Sequence, residues 1–133
     1  MRFIPYLVFD GKAEEALNLY HEALGGAISE LSRFGDRPDP NLSPAMKDRI
    51  MHAELAAGDL LIYVSDSPRP LARGDQVSIM LQCSSEAELD RIFSILSQVG
   101  SVSMPPQKTF WNAYYTNFTD RFGIPWQLNY SYA

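Results

Sequence analysis

The sequence predicts an α+β fold built from two βαβββ modules in a chain of 133 residues. Three observations predict it. Short apolar runs alternate with two segments of helical spacing, each helical segment follows one strand and precedes three, and the two helical segments lie about 73 residues apart. Residue identity between the halves is very low, so the repeat is one of pattern. We expect module one at about residues 1–66 and module two at about 76–133.

Module one opens with the apolar run 5–9, which Asp10 and Gly11 end as turn residues. Apolar residues three and four apart then predict a helix from Ala13 to the stop at Gly25 and Gly26. Further strands are predicted at 27–34, 50–56 and 60–65, with a loop at 35–48 and a hairpin at Gly58 and Asp59.

Module two repeats this order after a second loop at 67–75. A strand at 76–83 precedes an amphipathic helix at 84–100, for which Ser85 is the predicted N-cap and Glu88 its capping-box partner. Strands are then predicted at 101–111, 113–120 and 125–132. Because Pro105 and Pro106 have no N–H to donate, the first of these three is predicted to be an edge strand or to begin late.

Composition favours a soluble globular protein, with 46% hydrophobic and 20% charged residues. A net charge of -5 gives no basic surface for nucleic acid or for a membrane, so the expected partner is a small molecule or another protein. The N-terminus shows no signal pattern or long apolar span, and the one cysteine, Cys83, cannot form an internal disulfide. We therefore expect a cytoplasmic protein.

Four stretches of the sequence resemble the PhnB-like group of the vicinal oxygen chelate superfamily, which includes glyoxalase I, extradiol dioxygenases, and fosfomycin and bleomycin resistance proteins. They are PYLVFDGKAEEALNLYHEALGG, MKDRIMHAELAAGDLLIYVSD, MPPQKTFWNAYYTNFTDRFGIPW and the terminal WQLNYS. The resemblance implies a glyoxalase-like fold, in which curled mixed sheets surround a cavity and the helices lie outside. It also implies a homodimer.

Strand alternation assigns residues to this cavity. Met51, Ala53 and Leu55 form an apolar set, so His52 and Glu54 share the opposite face, which the resemblance makes the cavity wall. The other residues predicted to line the wall are Ser78, Met80, Gln82, Gln107, Thr109, Trp111, Tyr115, Gln127 and Asn129. The second histidine, His21, lies in the first helix and is predicted to be a surface residue.

The resemblance implies a divalent metal held by His and Glu from the first and last strands of the modules, and the sequence departs from that pattern. Residues 5–9 contain no His or carboxylate, Ser78 or Met80 stands where a His is expected, and Gln127 stands where a Glu is expected. A neutral amide is a weak ligand for such an ion. We expect no standard metal and no cofactor; a metal bound elsewhere would use His52, Glu54 and Gln127.

Two interpretations stay open for the most informative residues. His52 and Glu54 are either an acid–base pair or polar residues on a solvated face. Trp111 is either an aromatic platform for a ligand or a packing residue under the 35–48 loop. The sequence has no G-x-S-x-G, P-loop, G-x-G-x-x-G or paired C-x-x-C motif, and Cys83 has no basic neighbour that would activate it. Other aromatic residues are predicted to lie in the core, namely Phe110, Tyr114, Phe118, Phe122 and Trp126.

The functional prediction is a dimer that binds a small organic molecule near His52, Glu54, Trp111, Gln127 and Asn129, without the standard metal. Sequestration of a ligand, as in bleomycin resistance, would suit such a site. The alternative is a lyase, isomerase or dioxygenase that uses a divalent ion. A methyltransferase is the third hypothesis, and the sequence lacks a glycine-rich nucleotide loop for a methyl-donor cofactor.

Overall fold

The computed structural model describes all 133 residues. The chain divides into two compact units, Met1–Ala72 and Arg73–Ala133, named unit 1 and unit 2 below. Each unit contains one α-helix and one four-stranded mixed sheet in the order strand, helix, strand, strand, strand. The predicted α+β class and the two-module organisation are therefore confirmed. Neither helix has the length and apolar character of a membrane span.

Unit 1 contains β1 (Tyr6–Phe9), α1 (Ala13–Leu24), β2 (Ala27–Arg33), β3 (Ile50–Ala57) and β4 (Leu60–Asp66). The sheet order is β1-β4-β3-β2, with β1 parallel to β4 and the other pairs antiparallel. One face of this sheet is buried, and the Phe9 ring on that face contacts the Tyr20 ring of α1 at 6.4 Å. The buried residues of the face are Leu7, Phe9, Ala53, Leu55, Ile62 and Val64.

The start of α1 is fixed by a carboxylate from β4. Lys12, at the N-cap position, makes no side-chain cap, and the buried Asp66 takes its place. Its two oxygens accept from the backbone N–H of Ala13 at 3.0 Å and of Ile50 at 2.9 Å. One buried side chain therefore joins the helix start to two strands.

Unit 2 contains β5 (Ile79–Gln82), α2 (Glu86–Leu96), β6 (Ser101–Lys108), β7 (Ala113–Thr119) and β8 (Pro125–Ser131), in the sheet order β5-β8-β7-β6. The strand with the two prolines, β6, lies at the edge as predicted, and its register shifts between Met104 and Gln107. The predicted N-cap of α2 is also present, since Ser85 accepts from the Glu88 N–H at 3.0 Å. The return bond of the predicted capping box differs, because the Glu88 carboxylate accepts from the N–H of the preceding residue, Ser84, at 3.0 Å.

Several predictions in unit 2 were wrong in detail. The strand predicted at 101–111 ends at Lys108, and Tyr114 and Phe122, predicted for the core, are only half-buried. The strand predicted at 76–83 is only four residues long, because its parallel pairing with β8 starts at Ile79. The residue of β8 that would extend this pairing, Pro125, has no N–H to donate. The predicted helix end at Gly100 moves to Leu96, since Val99 has a left-handed φ of 59°. Phe118 and Trp126 are buried as predicted, but Phe110 is 97% exposed because it lies in the turn after β6.

Candidate functional site

His52 and Glu54 lie on the face of the unit 1 sheet that points away from α1. Glu54 is opposite Tyr63 in the antiparallel β3–β4 pair, and Tyr63 is opposite Tyr6 in the parallel β1–β4 pair. The residues alternating with them along the strands are the buried ones that pack toward the helix. This polar face of unit 1 is therefore built by three adjacent strands.

A hydrogen-bonded chain joins three of these side chains. His52 Nε2 lies 2.9 Å from Glu54 Oε2, and His52 Nδ1 lies 3.1 Å from the Tyr6 hydroxyl. An ionised carboxylate only accepts, so Nε2 carries the proton that it donates to Glu54, and Nδ1 accepts from Tyr6. Neutral His52 is thereby held in one tautomer, which is how an acid–base histidine is oriented.

Unit 2 presents a row of amides and hydroxyls on the face away from α2. The Tyr115 hydroxyl donates to Gln127 Oε1 at 2.5 Å, and Gln127 Nε2 donates to Ser78 Oγ at 2.7 Å. Tyr115 also accepts from Asn117 at 3.4 Å. These four residues alternate with the buried Thr116, Phe118 and Trp126.

Trp111 stands at the end of this row. Its indole N–H donates to Asn129 Oδ1 at 3.4 Å, and Asn129 in turn donates to Gln82 Oε1 at 3.1 Å. The Trp111 ring meets the Tyr115 ring edge-on at 5.3 Å, yet the residue is 47% exposed. Gln107, also predicted here, donates to the Pro105 carbonyl instead of joining the network.

The side chains at the usual superfamily metal positions do not fit a divalent ion. Gln127 uses its oxygen for Tyr115 and its nitrogen for Ser78, so the amide is already engaged at both ends. No group of three or more His, Cys, Asp or Glu side chains is placed to hold a metal. The donor set of unit 2 is neutral, whereas such ions prefer imidazole, carboxylate or thiolate.

A concave region of unit 1, separate from the polar face, lies beside the start of α1 and has a volume of about 460 Å³. Its two arginines are already paired, Arg33 with both oxygens of Glu14 and Arg49 with Asp10 at 2.9 Å. These pairs leave no unpartnered arginine for a ligand, so we assign it no function.

Cys83 and His21 are the two other residues that the sequence raised as possible functional groups. Burial raises the pKa of the Cys83 thiol to about 11, so little nucleophilic thiolate forms at neutral pH. His21 is exposed and its Nε2 lies 3.1 Å from the Gly26 carbonyl, just past the end of α1. Both placements agree with the sequence interpretation.

Tyr6 and Tyr63 were missed by the sequence analysis as members of the polar face. A signal for Tyr6 was present, because Leu7 and Phe9 form the buried set of β1 and leave Tyr6 and Val8 on the other side. The same alternation in β4 separates Tyr63 from Ile62 and Val64. The pairing that brings Tyr6 to His52 has no signal in either strand alone.

Known proteins match almost the whole chain. A family model described as 3-demethylubiquinone-9 3-methyltransferase matches residues 1–129. Protein YjdN of Escherichia coli (strain K12) is 30% identical over an alignment of 139 positions, gaps included. The alignment covers 97% of this chain and 95% of that protein. The crystal structure of protein PA1353 from Pseudomonas aeruginosa is 41% identical, with a TM-score of 0.89 and 98% of each chain covered. The PhnB protein from Bacillus cereus is 27% identical, with a TM-score of 0.84 over 98% of this chain and 100% of that one.

The fold extends to more distant proteins. A glyoxylase/bleomycin resistance protein/dioxygenase domain from Frankia sp. EAN1pec has a TM-score of 0.69 at 15% identity, over 99% of this chain and 91% of that one. At this identity the likeness concerns the fold alone, which is the glyoxalase-like fold that the sequence resemblance implied. The chain belongs to the family described as 3-demethylubiquinone-9 3-methyltransferase, a description that the PhnB protein from Bacillus cereus shares.

Proposed function

We propose that the chain binds a small organic molecule on the polar face of unit 2, without the divalent ion used elsewhere in the superfamily. The observation that carries this proposal is Trp111, a residue that is 47% exposed while its indole N–H is engaged by Asn129. A half-exposed aromatic ring beside fixed hydrogen-bonding groups is typical of small-molecule sites.

The chemistry of the row indicates the kind of ligand. Ser78, Gln82, Gln127 and Asn129 are uncharged, and the Tyr115 hydroxyl is held by the Gln127 oxygen. A face of this composition suits a neutral ligand with an aromatic or planar apolar part and a few polar atoms. A strongly charged ligand would find no ion partner within this row.

Fragment binding tests the proposal. Neutral aromatic fragments are screened against the full chain by ligand-observed NMR, and each hit is titrated with Trp111→Ala and Phe3→Ala. Phe3 is a matched control because it is 99% exposed and lies in unit 1. We expect Trp111→Ala to weaken binding at least tenfold and Phe3→Ala to leave it unchanged. Hits that bind both variants equally, or an absence of hits, would contradict the proposal.

Metal analysis tests the second half of the proposal. Plasma mass spectrometry on untagged protein is followed by titration with manganese, nickel, zinc and iron(II). We expect no stoichiometric metal and no rise in Tm with any of the four ions. A near-stoichiometric metal that His52→Ala or Glu54→Gln removes would overturn the metal-free proposal and favour the metal-dependent alternative.

A second candidate function is acid–base catalysis by His52 with Glu54. The single tautomer enforced by the 2.9 Å and 3.1 Å contacts of His52 favours it. It predicts that a bound molecule is converted to product, and that His52→Ala abolishes this turnover while leaving affinity largely unchanged. Recovery of the ligand unaltered after incubation with the protein would count against it. The methyltransferase activity in the family description is not extended to this chain.

A further inference from the structure

We propose that the polar face of unit 1 binds a small organic ammonium ion. The site consists of Tyr6, His52, Glu54 and Tyr63 on β1, β3 and β4. None of these residues belongs to unit 2, on which the first ligand site is proposed.

Glu54 is a carboxylate without a permanent cation partner. Its side chain is only 23% exposed, and its one hydrogen-bonding and ion-pair partner is His52 Nε2 at 2.9 Å. That bond uses Oε2 and leaves Oε1 without a donor from the protein. While His52 is neutral, the site holds a net negative charge that is largely withdrawn from water. An ammonium ion would supply both the charge and the missing N–H donors.

The Tyr6 hydroxyl adds a second acceptor. Its proton is directed to His52 Nδ1 at 3.1 Å, so its oxygen presents lone pairs to a ligand while His52 is neutral. Tyr6 as a residue is 48% exposed. An ammonium group carries several N–H donors and can serve Tyr6 and Glu54 together.

The rings around these acceptors also favour a cation. The Tyr63 centroid lies 5.9 Å from that of Tyr6 and 4.9 Å from that of His52, in both cases edge-on. Tyrosine ring faces carry partial negative charge and attract ammonium groups. The site therefore combines a carboxylate with aromatic surface, which suits an ammonium ion that carries an apolar substituent.

No permanent cation on the neighbouring strands faces the site. On the neighbouring strands the groups facing the site are Tyr6, Tyr63 and, on β2, Ser29 opposite Glu54 and Ser32 opposite His52; none is a cation. The nearest arginine on β2, Arg33, is paired with Glu14. Glu54 therefore has no permanent cation partner on the strands around it, and an ammonium ion can take that place.

The experiment uses the full chain at pH 7 with butylamine, whose amine is protonated at that pH, and with the neutral butan-1-ol. Neither molecule has the aromatic or planar part expected of a ligand on unit 2. Both are titrated by NMR, and binding is followed through the ring signals of His52. We expect the amine to bind at least tenfold more tightly than the alcohol.

Variants locate the binding. Glu54→Gln should weaken amine binding at least tenfold, while the exposed control Glu22→Gln on α1 should leave it unchanged. If Glu54→Gln fails to fold, Tyr6→Phe, which removes the second acceptor, provides the same test and should also weaken amine binding. Equal binding of amine and alcohol, or amine binding that neither variant weakens, would overturn the proposal.

Discussion

The polar faces of the two units have the same strand order and different chemistry. In unit 1, Tyr6, His52 and Glu54 form a chain that contains a carboxylate and an imidazole. In unit 2, the corresponding face is a row of amides and hydroxyls ending at Trp111. The comparison shows that the fold decides which side chains face away from the helix, while the sequence alone decides what those side chains can bind.

The two helices also differ in where the cap of each helix start comes from. The cap of α2 comes from Ser85 and Glu88, which are adjacent to the helix start or within its first turn. The cap of α1 comes from Asp66, which is 53 residues from Ala13 along the chain. We infer that α1 depends on the folded sheet for its first turn, whereas α2 can begin from local interactions.

The largest expected effect is that of Asp66→Ala. The change leaves the buried N–H groups of Ala13 and Ile50 without an acceptor, and each such group costs about 1–3 kcal/mol. We expect the free energy of unfolding to fall by about 3 kcal/mol in urea denaturation. Asp66→Asn, which keeps one acceptor, should lose less.

Asp10→Ala is the matched control for that measurement. Asp10 pairs with Arg49, but its side chain is 66% exposed, and exposed pairs contribute less than about 1 kcal/mol. If Asp66→Ala and Asp10→Ala destabilise the protein equally, Asp66 does not cap the helix in the way described.

A smaller loss is expected at the start of α2. Ser85→Ala removes the acceptor of the Glu88 N–H but leaves the bond from Ser84 N–H to the Glu88 carboxylate, so about 1 kcal/mol should be lost. Ser94→Ala, at an exposed position inside the same helix, should be neutral or slightly stabilising. Thermal unfolding monitored by circular dichroism measures both. A larger loss for Ser85→Ala than for Asp66→Ala would reverse the comparison of the two helix starts.

The difference between the caps also explains what the sequence could predict. The cap of α2 lies within five residues, and Ser85 followed three residues later by Glu88 is a recognisable pattern, so the N-cap was predicted from the sequence. Asp66 has no such pattern, since its partners are 53 and 16 residues away and meet it only in the folded sheet. Strand alternation placed His52 beside Glu54, but the contact with Tyr6 depends on the order β1-β4-β3, which alternation does not specify.

Local sequence was also insufficient at the end of β6. Phe110 is as apolar as Phe118, yet it lies in a turn in which Asn112 has a left-handed φ of 60°. Hydrophobicity indicates which residues can be buried, whereas the position of a turn decides which of them are. The exposure of Trp111 in the same turn is the feature on which the proposed ligand site depends.

Each unit also has a contact between two side chains, one on its helix and one on its sheet, and the two contacts should fail at opposite ends of the pH range. In unit 2 the Tyr114 hydroxyl of β7 donates to Asp90 of α2 at 2.8 Å. The hydrogen bond to the Asp90 carboxylate, with some burial, raises the pKa of Tyr114 to about 12. A raised pKa means that the stabilisation is complete below the ordinary value of about 10 and is lost as the pH rises through about 12.

Tyr114→Phe should therefore lower the free energy of unfolding by less than about 1 kcal/mol at pH 9, because the contact is partly exposed, and the deficit should shrink at higher pH. Urea denaturation at pH 9 and pH 11 measures this difference. Tyr130→Phe, on the strand position opposite Tyr114, is the control for loss of a hydroxyl without the Asp90 contact. A deficit that grows with pH would contradict the assignment.

The smallest effect is expected at the matching contact of unit 1, where Arg33 of β2 binds both oxygens of Glu14 on α1 at 3.1 and 2.8 Å. Hydrogen bonding to Arg33 lowers the pKa of Glu14 below its ordinary value near 4.5, so the stabilisation is present above that pH and is lost as the pH falls through the lowered value. Because the Glu14 side chain is 49% exposed, Glu14→Gln should cost about 0.5 kcal/mol at pH 7 and less at pH 3. Glu22→Gln on the same helix should show no such pH dependence in urea denaturation. Glu14→Gln could instead lower the free energy of unfolding equally at pH 3 and pH 7. In that case the ion pair would not join α1 to β2, and the packing of the helix on the sheet would be the only interaction that does.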